Sequence, residues 1–365
     1  MKKIISTMLI LAAASTMLFA NGQKESSSVS TSAKKIGVSM PTKSLQRWNQ
    51  DGANMKAELE AAGYSVDLQY AGDNDIPTQV NQVENMVTSG CDAIVIAAID
   101  GSSLTSVLKE AQDQNIPIIS YDRLIMNSPA VSYYATFDNF GVGVIQGEYL
   151  RDAIKLDSKS ASDPAYLELV TGAPDDNNCV YFWGGAMSIL EPYIKSGAVV
   201  IKSGQTTRQQ CSTPNWSNTE SQKRMENIIS ANSYGPKGQK LDGVLCSNDS
   251  TAQGVTNALK EVGYTSANFP IVTGQDCDIT SVKNMIAGTQ SMSVFKDTRT
   301  LATKVVGMVD ALMKGTTPEI NDTKTYDNGV KIVPSYLCTP VYASNDNIQK
   351  LLIDSGYYTK AQLGL

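Results

Sequence analysis

Histidine is absent from all 365 residues. That removes Ser-His-Asp and Cys-His nucleophile systems, the zincins, and most zinc, copper and non-haem iron sites together. A G-x-S-x-G elbow, a P-loop and a G-x-G-x-x-G turn after a strand are missing as well. Gly-Val-Gly at 141–143 falls inside an expected helix and does not open one. Asp73 to Asp75 lacks the glycine and glutamate of an EF-hand loop. No C-x-x-C pair occurs, which argues against a metal or thioredoxin-like site. Basic residues (30) are fewer than acidic ones (36), and a net charge of −6 gives no basic face for phosphate contacts. Nucleic acid is therefore not an expected partner. Carboxylate pairs for glycoside hydrolysis are not excluded by spacing alone.

What is present is globular: 42% hydrophobic and 18% charged residues, at a length that favours two domains. Lys2 and Lys3 precede an apolar stretch from Ile4 to Phe19, too short to span a bilayer comfortably. This reads as a signal peptide over 1–20, cleaved near Ala20, followed by a polar tether over 21–34. The expected product is exported and soluble, and no later stretch is long and apolar enough to cross a membrane. The first cysteine is Cys91, so no lipoprotein cysteine stands at the cleavage point. Six cysteines allow fifteen pairings. Buried free thiols are the simpler reading. If a disulfide forms, Cys246 with Cys277 is the expected pair.

From Lys35 onward apolar strand-like runs alternate with helical spacing. DAIVIAA (92–98) and IPIISY (116–121) are continuous apolar runs, as expected of strands covered on both faces. Pro77 sits at the first turn of an expected helix that Gly90 stops. The alternation restarts at Asn139 and continues to Met313. Two such βα blocks imply an α/β protein with two doubly wound, parallel-sheet lobes. The tail is different: 324–332 and 336–342 look extended, and 348–352 is a last short helix.

Ligands of open α/β sheets bind beyond the carboxyl ends of the strands. At those ends stand Thr42, Lys43 and Arg47, then Asp122 and Arg123, then Asp175 to Asn178. Asn248 with Asp249, Gln275 with Asp276, and Lys296 with Asp297 follow. Each also has a structural reading. Asp122 can pair with Arg123, and Asn177, Asn248 or Asp249 can cap a helix. Their shared placement favours a polar cleft. Carboxylates beside amides and guanidinium groups suit sugar hydroxyls, which donate and accept at once. Aromatic rings suit the apolar C–H faces. Of the three tryptophans, Trp48 and Trp216 lie in polar contexts, whereas Trp183 follows Phe182 on an expected helix and reads as core.

Several segments together carry a resemblance: PTKSLQRW (41–48), DLQYAGDNDIPTQVNQVENMV (67–87), YDRLI (121–125), SYYATFDN (132–139), PDDNN (174–178), GQD (274–276), FKDT (295–298) and NDTKTY…VPSYL (321–337). They resemble the periplasmic multiple-sugar-binding receptors, the monosaccharide-binding components of ABC importers, close to the xylose-binding branch. The resemblance implies a type I periplasmic binding protein fold, two lobes joined by three hinge crossings. The crossings are expected near 136–139, 274–276 and 333–336. The N-terminal lobe is then 35–137 plus 276–333, and the C-terminal lobe 138–275 plus 334–365. By similarity Arg47 and Trp48 are first-loop contacts, Asp122 and Arg123 a contact pair, Asn178 a second-lobe amide and Trp216 a stacking ring. Asn248, Asp249, Gln275, Asp276 and Lys296 follow at later strand ends and the hinge, and Lys43 is included.

The implied role is capture of an aldopyranose of the glucose, galactose, xylose or arabinose type by hinge closure, and delivery to an ABC permease. A monomer without cofactor or metal is expected. Two alternatives stay open: a sugar sensor docking on a membrane chemoreceptor or kinase, and an exported sugar-active enzyme. Related repressors share the core, but no helix-turn-helix precedes it here.

Overall fold

The computed structural model describes residues 33–365. The expected signal peptide, its cleavage near Ala20 and the tether as far as residue 32 lie outside the described residues. In chain order the first block is β1 (Lys35–Met40), α1 (Gln46–Ala61), β2 (Ser65–Tyr70), α2 (Ile76–Thr88), β3 (Ala93–Ile96), α3 (Thr105–Asp113), β4 (Ile118–Tyr121) and β5 (Val131–Phe137). The second is α4 (Asn139–Ile154), β6 (Ala165–Val170), α5 (Asn178–Ser196), β7 (Val199–Val200), α6 (Asn218–Asn232), β8 (Gly243–Cys246), α7 (Asp249–Glu261), β9 (Ile271–Val272), α8 (Ile279–Ile286) and β10 (Ser293–Phe295). The chain ends with α9 (Thr298–Met313), β11 (Ser335–Cys338), β12 (Val341–Ala343) and α10 (Lys360–Leu363).

Two parallel sheets result. The first has the order β11-β5-β4-β3-β1-β2, and the second β7-β6-β8-β9. β10 continues the second sheet through a parallel bridge from Val294 to Gln275, and β12 pairs antiparallel with β10. β3 and β4 are buried along their whole length because helices cover both faces of the sheet. Ile36, Val38, Val95, Ile119 and Tyr121 on one face of the first sheet pack with Met55 and Leu59 of α1 and with Leu301, Val305 and Val309 of α9. In the second lobe Val244 and Val272 pack with Met225 of α6 and Val255 and Leu259 of α7.

Helix starts follow the chemistry of their flanks. Asp75 accepts from Thr78 N at the start of α2, beside Pro77. Asn248 and Thr251 form a reciprocal capping box on α7. Helices α4 and α5 approach so closely that a Cβ at Gly143 would lie 2.1 Å from the Phe182 carbonyl oxygen. Only glycine fits there, and this contact sets where the start of α5 lies.

Two of the three crossings fall later than the sequence suggested. The chain leaves the first sheet between β5 and α4. Gly274 to Asp276 is not a crossing, because α8 and β10 stay with the second sheet. The return comes between Phe295 and Thr298, after which α9 packs on α1. Residues 333–336 are not a crossing either, because β11 pairs parallel with β5 in the first sheet. The last crossing lies between Cys338 and Val341. The N-terminal lobe thus holds β1 to β5, α9 and β11. The C-terminal lobe takes β6 to β10, β12 and α10. The stretch expected to be extended at 324–332 makes only isolated antiparallel bridges, Asp322 to Ser335 and Asp327 to Ile332.

All six cysteines are free and buried. Cys246 packs among the residues under α6 and α7, and Cys277 packs against the C-terminal segment, so the pair does not form. No described helix is long and apolar enough to cross a membrane.

Candidate functional site

The carboxyl ends of both sheets face one narrow cleft between the lobes. Ten of the twelve residues proposed from sequence line it: Arg47, Trp48, Asp122, Arg123, Asn178, Trp216, Asn248, Gln275, Asp276 and Lys296. Two do not. Lys43 is exposed on the N-terminal lobe, its ammonium 4.9 Å from the centre of the Tyr70 ring. Asp249 is completely buried beneath the cleft floor. Its carboxylate accepts from Ser293 Oγ at 2.9 Å, Gln290 Nε2 at 3.0 Å and Asp278 N at 2.8 Å. Leu45, Asp176, Phe182 and Asp278 also line the cleft. The strand-end rule reaches Asp176 and Asp278 without further information, since one lies in the PDDNN run and the other two residues past Asp276.

Arg47 is the centre of the N-terminal half. It lies in the first turn of α1, four residues before Asp51, so both side chains share one face. Its Nη2 is 3.0 Å from Asp51 Oδ2 and 2.9 Å from Asp122 Oδ2, and its Nη1 is 3.5 Å from Asp276 of the other lobe. Burial works against its charge, but Asp122, Asp51 and Asp276 outweigh that and hold it firmly protonated. Burial would also raise Asp122. There Arg47, Lys296 and Arg123 prevail and keep the carboxyl below its ordinary range. Asp51, which also accepts from the Tyr121 hydroxyl, is pushed up to about 6 by burial despite Arg47.

Arg123 joins the lobes. Its Nη1 donates to the carbonyls of Ala98 and Ile99 at 3.1 and 3.3 Å, and its Nε is 3.0 Å from Asp176. Asp176 in turn accepts from Trp216 Nε1 at 3.2 Å. The Trp216 ring meets Phe182 edge-on at 6.3 Å and covers Gly172, where a Cβ would fall 2.1 Å from the indole. Asn178 donates to the Asp122 carbonyl at 2.8 Å and accepts from Tyr134 and Asn139, each at 3.1 Å. Trp48 is only 2% exposed and belongs to the core of the first sheet. The guanidinium groups of Arg47 and Arg123 stand 4.3 and 5.1 Å from its ring centre. Trp183 packs into the second lobe's core, away from the cleft.

Lys296, at the end of β10, sits 3.0 Å from Asp276 and 3.9 Å from Asp122. Gln275 donates to the Ser247 carbonyl at 3.0 Å. Asn248 uses its side-chain oxygen to cap α7, accepting from Thr251 N at 2.9 Å, which leaves its NH₂ to donate. Asp278 is raised by burial, reinforced by Asp276. Asp122, Trp216 and Asp276 all adopt positive φ (59°, 55° and 99°), a conformation costly for residues other than glycine and typical of ligand sites.

The buried polar atoms are paired in charge but not saturated. Arg47 Nη2, Trp48 Nε1, Asp122 Oδ2, Arg123 Nε, Gln275 Oε1 and Asp276 Oδ1 have no aligned hydrogen-bond partner, although several lie within 3.0 Å of an opposite charge. Groups so placed in a folded interior call for a polar partner. No cluster of metal-ligating residues occurs among the described residues.

The sequence model of the periplasmic binding protein domain matches residues 36–317. A multiple sugar-binding periplasmic receptor of Rhizobium radiobacter is 52% identical over 330 residues, 90% of this chain and 92% of that protein. The D-xylose-binding periplasmic protein of Escherichia coli is 34% identical over 329 residues, 90% of this chain and 92% of its own. Among solved structures, an ABC transporter solute-binding protein from Clostridium phytofermentans with bound β-D-glucose is 58% identical. It superposes with a TM-score of 0.86 and covers 90% of this chain and 100% of its own.

Proposed function

Because the chain belongs to the periplasmic binding protein domain family, we propose that it is an ABC-importer receptor that captures a neutral aldopyranose between its lobes and presents it to a membrane permease. The observation that carries this reading is the convergence of carboxylates, guanidinium groups and amides on the cleft from both lobes. A pyranose has hydroxyls that donate and accept around its rim, and such a ring is what Arg47, Asp122, Asp276 and Gln275 are disposed to saturate. The indole of Trp216 and the ring of Phe182 supply an apolar wall for the C–H face. The sugars named for the relatives support the same class.

In this mechanism Arg47 and Asp122 bind from the N-terminal side, and Asn248, Gln275 and Asp276 from the C-terminal side, with Lys296 between them at the end of β10. A ligand bridging the two sets favours the closed arrangement by its differential contacts with it. Micromolar capture needs about −8 kcal/mol. Roughly ten hydrogen bonds of about 0.5–1.5 kcal/mol net each supply that after closure costs. The test is calorimetric titration of the exported protein, stripped of sugar, with a panel of aldopentoses and aldohexoses, while following tryptophan fluorescence. One-to-one binding with a fluorescence change is expected. Silence across the panel would remove the monosaccharide reading.

A further inference from the structure

Helix α1 carries two functional strips. On one strip Arg47 lines the cleft and pairs with the buried Asp51 one turn on. On the adjacent strip Gln46, Gln50 and Asn54 recur every four residues, and each is bonded to a group outside α1. Gln46 Nε2 donates to the Tyr358 hydroxyl at 2.6 Å, and Gln46 Oε1 accepts from Ile279 N at 3.1 Å. Gln50 donates to the same hydroxyl at 3.3 Å and accepts from the Tyr357 hydroxyl at 3.3 Å. Asn54 donates to Thr298 Oγ1 at 3.0 Å, and that hydroxyl also meets Tyr357 at 3.3 Å. Tyr358 donates onward to the Cys277 carbonyl at 2.9 Å.

Tyr357, Tyr358 and Ile279 belong to the other lobe, whereas Thr298 opens α9 and shares the lobe of α1, so Gln46 and Gln50 make the bonds that cross. Tyr358, Leu352 and Leu363 of the C-terminal segment pack with Cys277, Val282 and Phe295 of the second lobe, whereas α1 packs on the first sheet. Ile279 is the first residue of α8, whose flanking Asp278 provides no side-chain cap. A helix start leaves N–H groups without partners, and here an amide from the opposite lobe satisfies one. Gln46, Gln50, Tyr357 and Tyr358 do not line the cleft. The bonds join the lobes without touching what lies between them.

We propose that the amide strip of α1 and the tyrosine pair of the C-terminal segment form a latch that holds the cleft shut over the sugar, with Gln46 the positioning residue that ties neighbouring Arg47 and Trp48 to the second lobe. The proposal rests on the sugar-receptor reading. Neutral amide–phenol bonds exert little field at long range, so the latch acts only when the lobes meet. It strengthens retention of any sugar by a common factor and leaves the ranking of sugars to the cleft.

The variants Gln46→Ala and Tyr358→Phe test this, the second keeping the buried ring in place. Both are titrated against the same sugar panel, their release rates are taken by stopped-flow fluorescence, and sugar-loaded and sugar-free forms are compared by small-angle scattering. Gln46→Ala is expected to weaken every sugar the parent binds by about tenfold, mostly through faster release, with the ranking unchanged and a larger radius of gyration. Tyr358→Phe is expected to move the same quantities less. Unchanged affinity and release in folded Gln46→Ala protein would overturn the latch, and so would a reordered ranking, which marks a ligand contact. A parent protein that binds none of the panel overturns the sugar reading instead. Scattering then decides the latch alone, and an unaltered radius of gyration in Gln46→Ala would overturn it.

Discussion

Two acidic clusters meet under this cleft, and they are neutralised in different ways. In the N-terminal lobe Asp51 and Asp122 surround Arg47, with Lys296 and Arg123 close to Asp122. In the C-terminal lobe Asp249 lies among Ser293, Gln290 and the backbone of Asp278, with no cation in contact. Burial, Asp278 and Asp276 raise Asp249 well above the ordinary carboxyl range. The first cluster is a charge-compensated net whose carboxylate at Asp122 stays ionised. In the second, burial favours the protonated form of Asp249, which accepts from hydroxyl and amide donors. One residue type thus gives a carboxylate at Asp122 held ionised by cations on one side and, at Asp249, a buried carboxyl without a cation on the other. What decides between them is the supply of cationic side chains.

Removing the cation that distinguishes the first cluster should have the largest effect. Arg47→Ala leaves Asp51 and Asp122 buried without their principal counter-charge. Loss of one partner from a buried ion network costs about 3–5 kcal/mol. Urea denaturation of the sugar-free protein should show that loss, and a drop below about 1 kcal/mol would mean the network relaxes to water. Arg123→Ala sharpens the same contrast at the lobe boundary, because it strips Asp176 of its partner across the cleft. We expect sugar affinity to fall by about 2–4 kcal/mol by calorimetry. Unchanged affinity would take Arg123 out of the site.

Much of this was legible in the sequence, for identifiable reasons. Buried parallel strands leave continuous apolar runs, so β3 and β4 could be read directly. Their polar ends then pointed to the cleft, where Arg47, Asp122, Arg123 and Asp276 meet. The allotment of β10 and β11 to sheets was not legible. A βα unit such as β9-α8-β10 carries the same local pattern in either lobe, and only long-range pairing with β12 settles it. Depth was hidden too. Asn248 and Asp249 are neighbours at one strand end, yet the helix turn aims Asn248 into the cleft and Asp249 down into the floor. Lys43 follows the right strand but folds out over Tyr70. The positive φ values at Asp122 and Asp276 have no signature in residue type, since aspartate is common in every turn.

The last comparison is made by pH and draws on one carboxyl from each cluster. Burial and Asp276 push Asp278 up to about 7, and Asp51 rises to about 6. Both lie above the ordinary carboxyl value of 3.8 that applies when the chain is unfolded. Between those limits the folded protein holds protons that the unfolded chain has released. Stability from these groups is therefore complete below about pH 4 and declines as pH rises toward 7, by at most about 1.4 kcal/mol per pH unit for each group. The lowered carboxyl of Asp122 acts oppositely, but its window lies below 3.8, so the two do not overlap. Melting temperature at constant ionic strength should accordingly fall from pH 5 to pH 7.5. Asp278→Asn keeps a neutral side chain at every pH and should flatten that slope while leaving stability at pH 5 nearly unchanged. A slope equally steep in Asp278→Asn would take Asp278 out of the pH response and assign it to Asp51 and Asp249, neither of which lines the cleft.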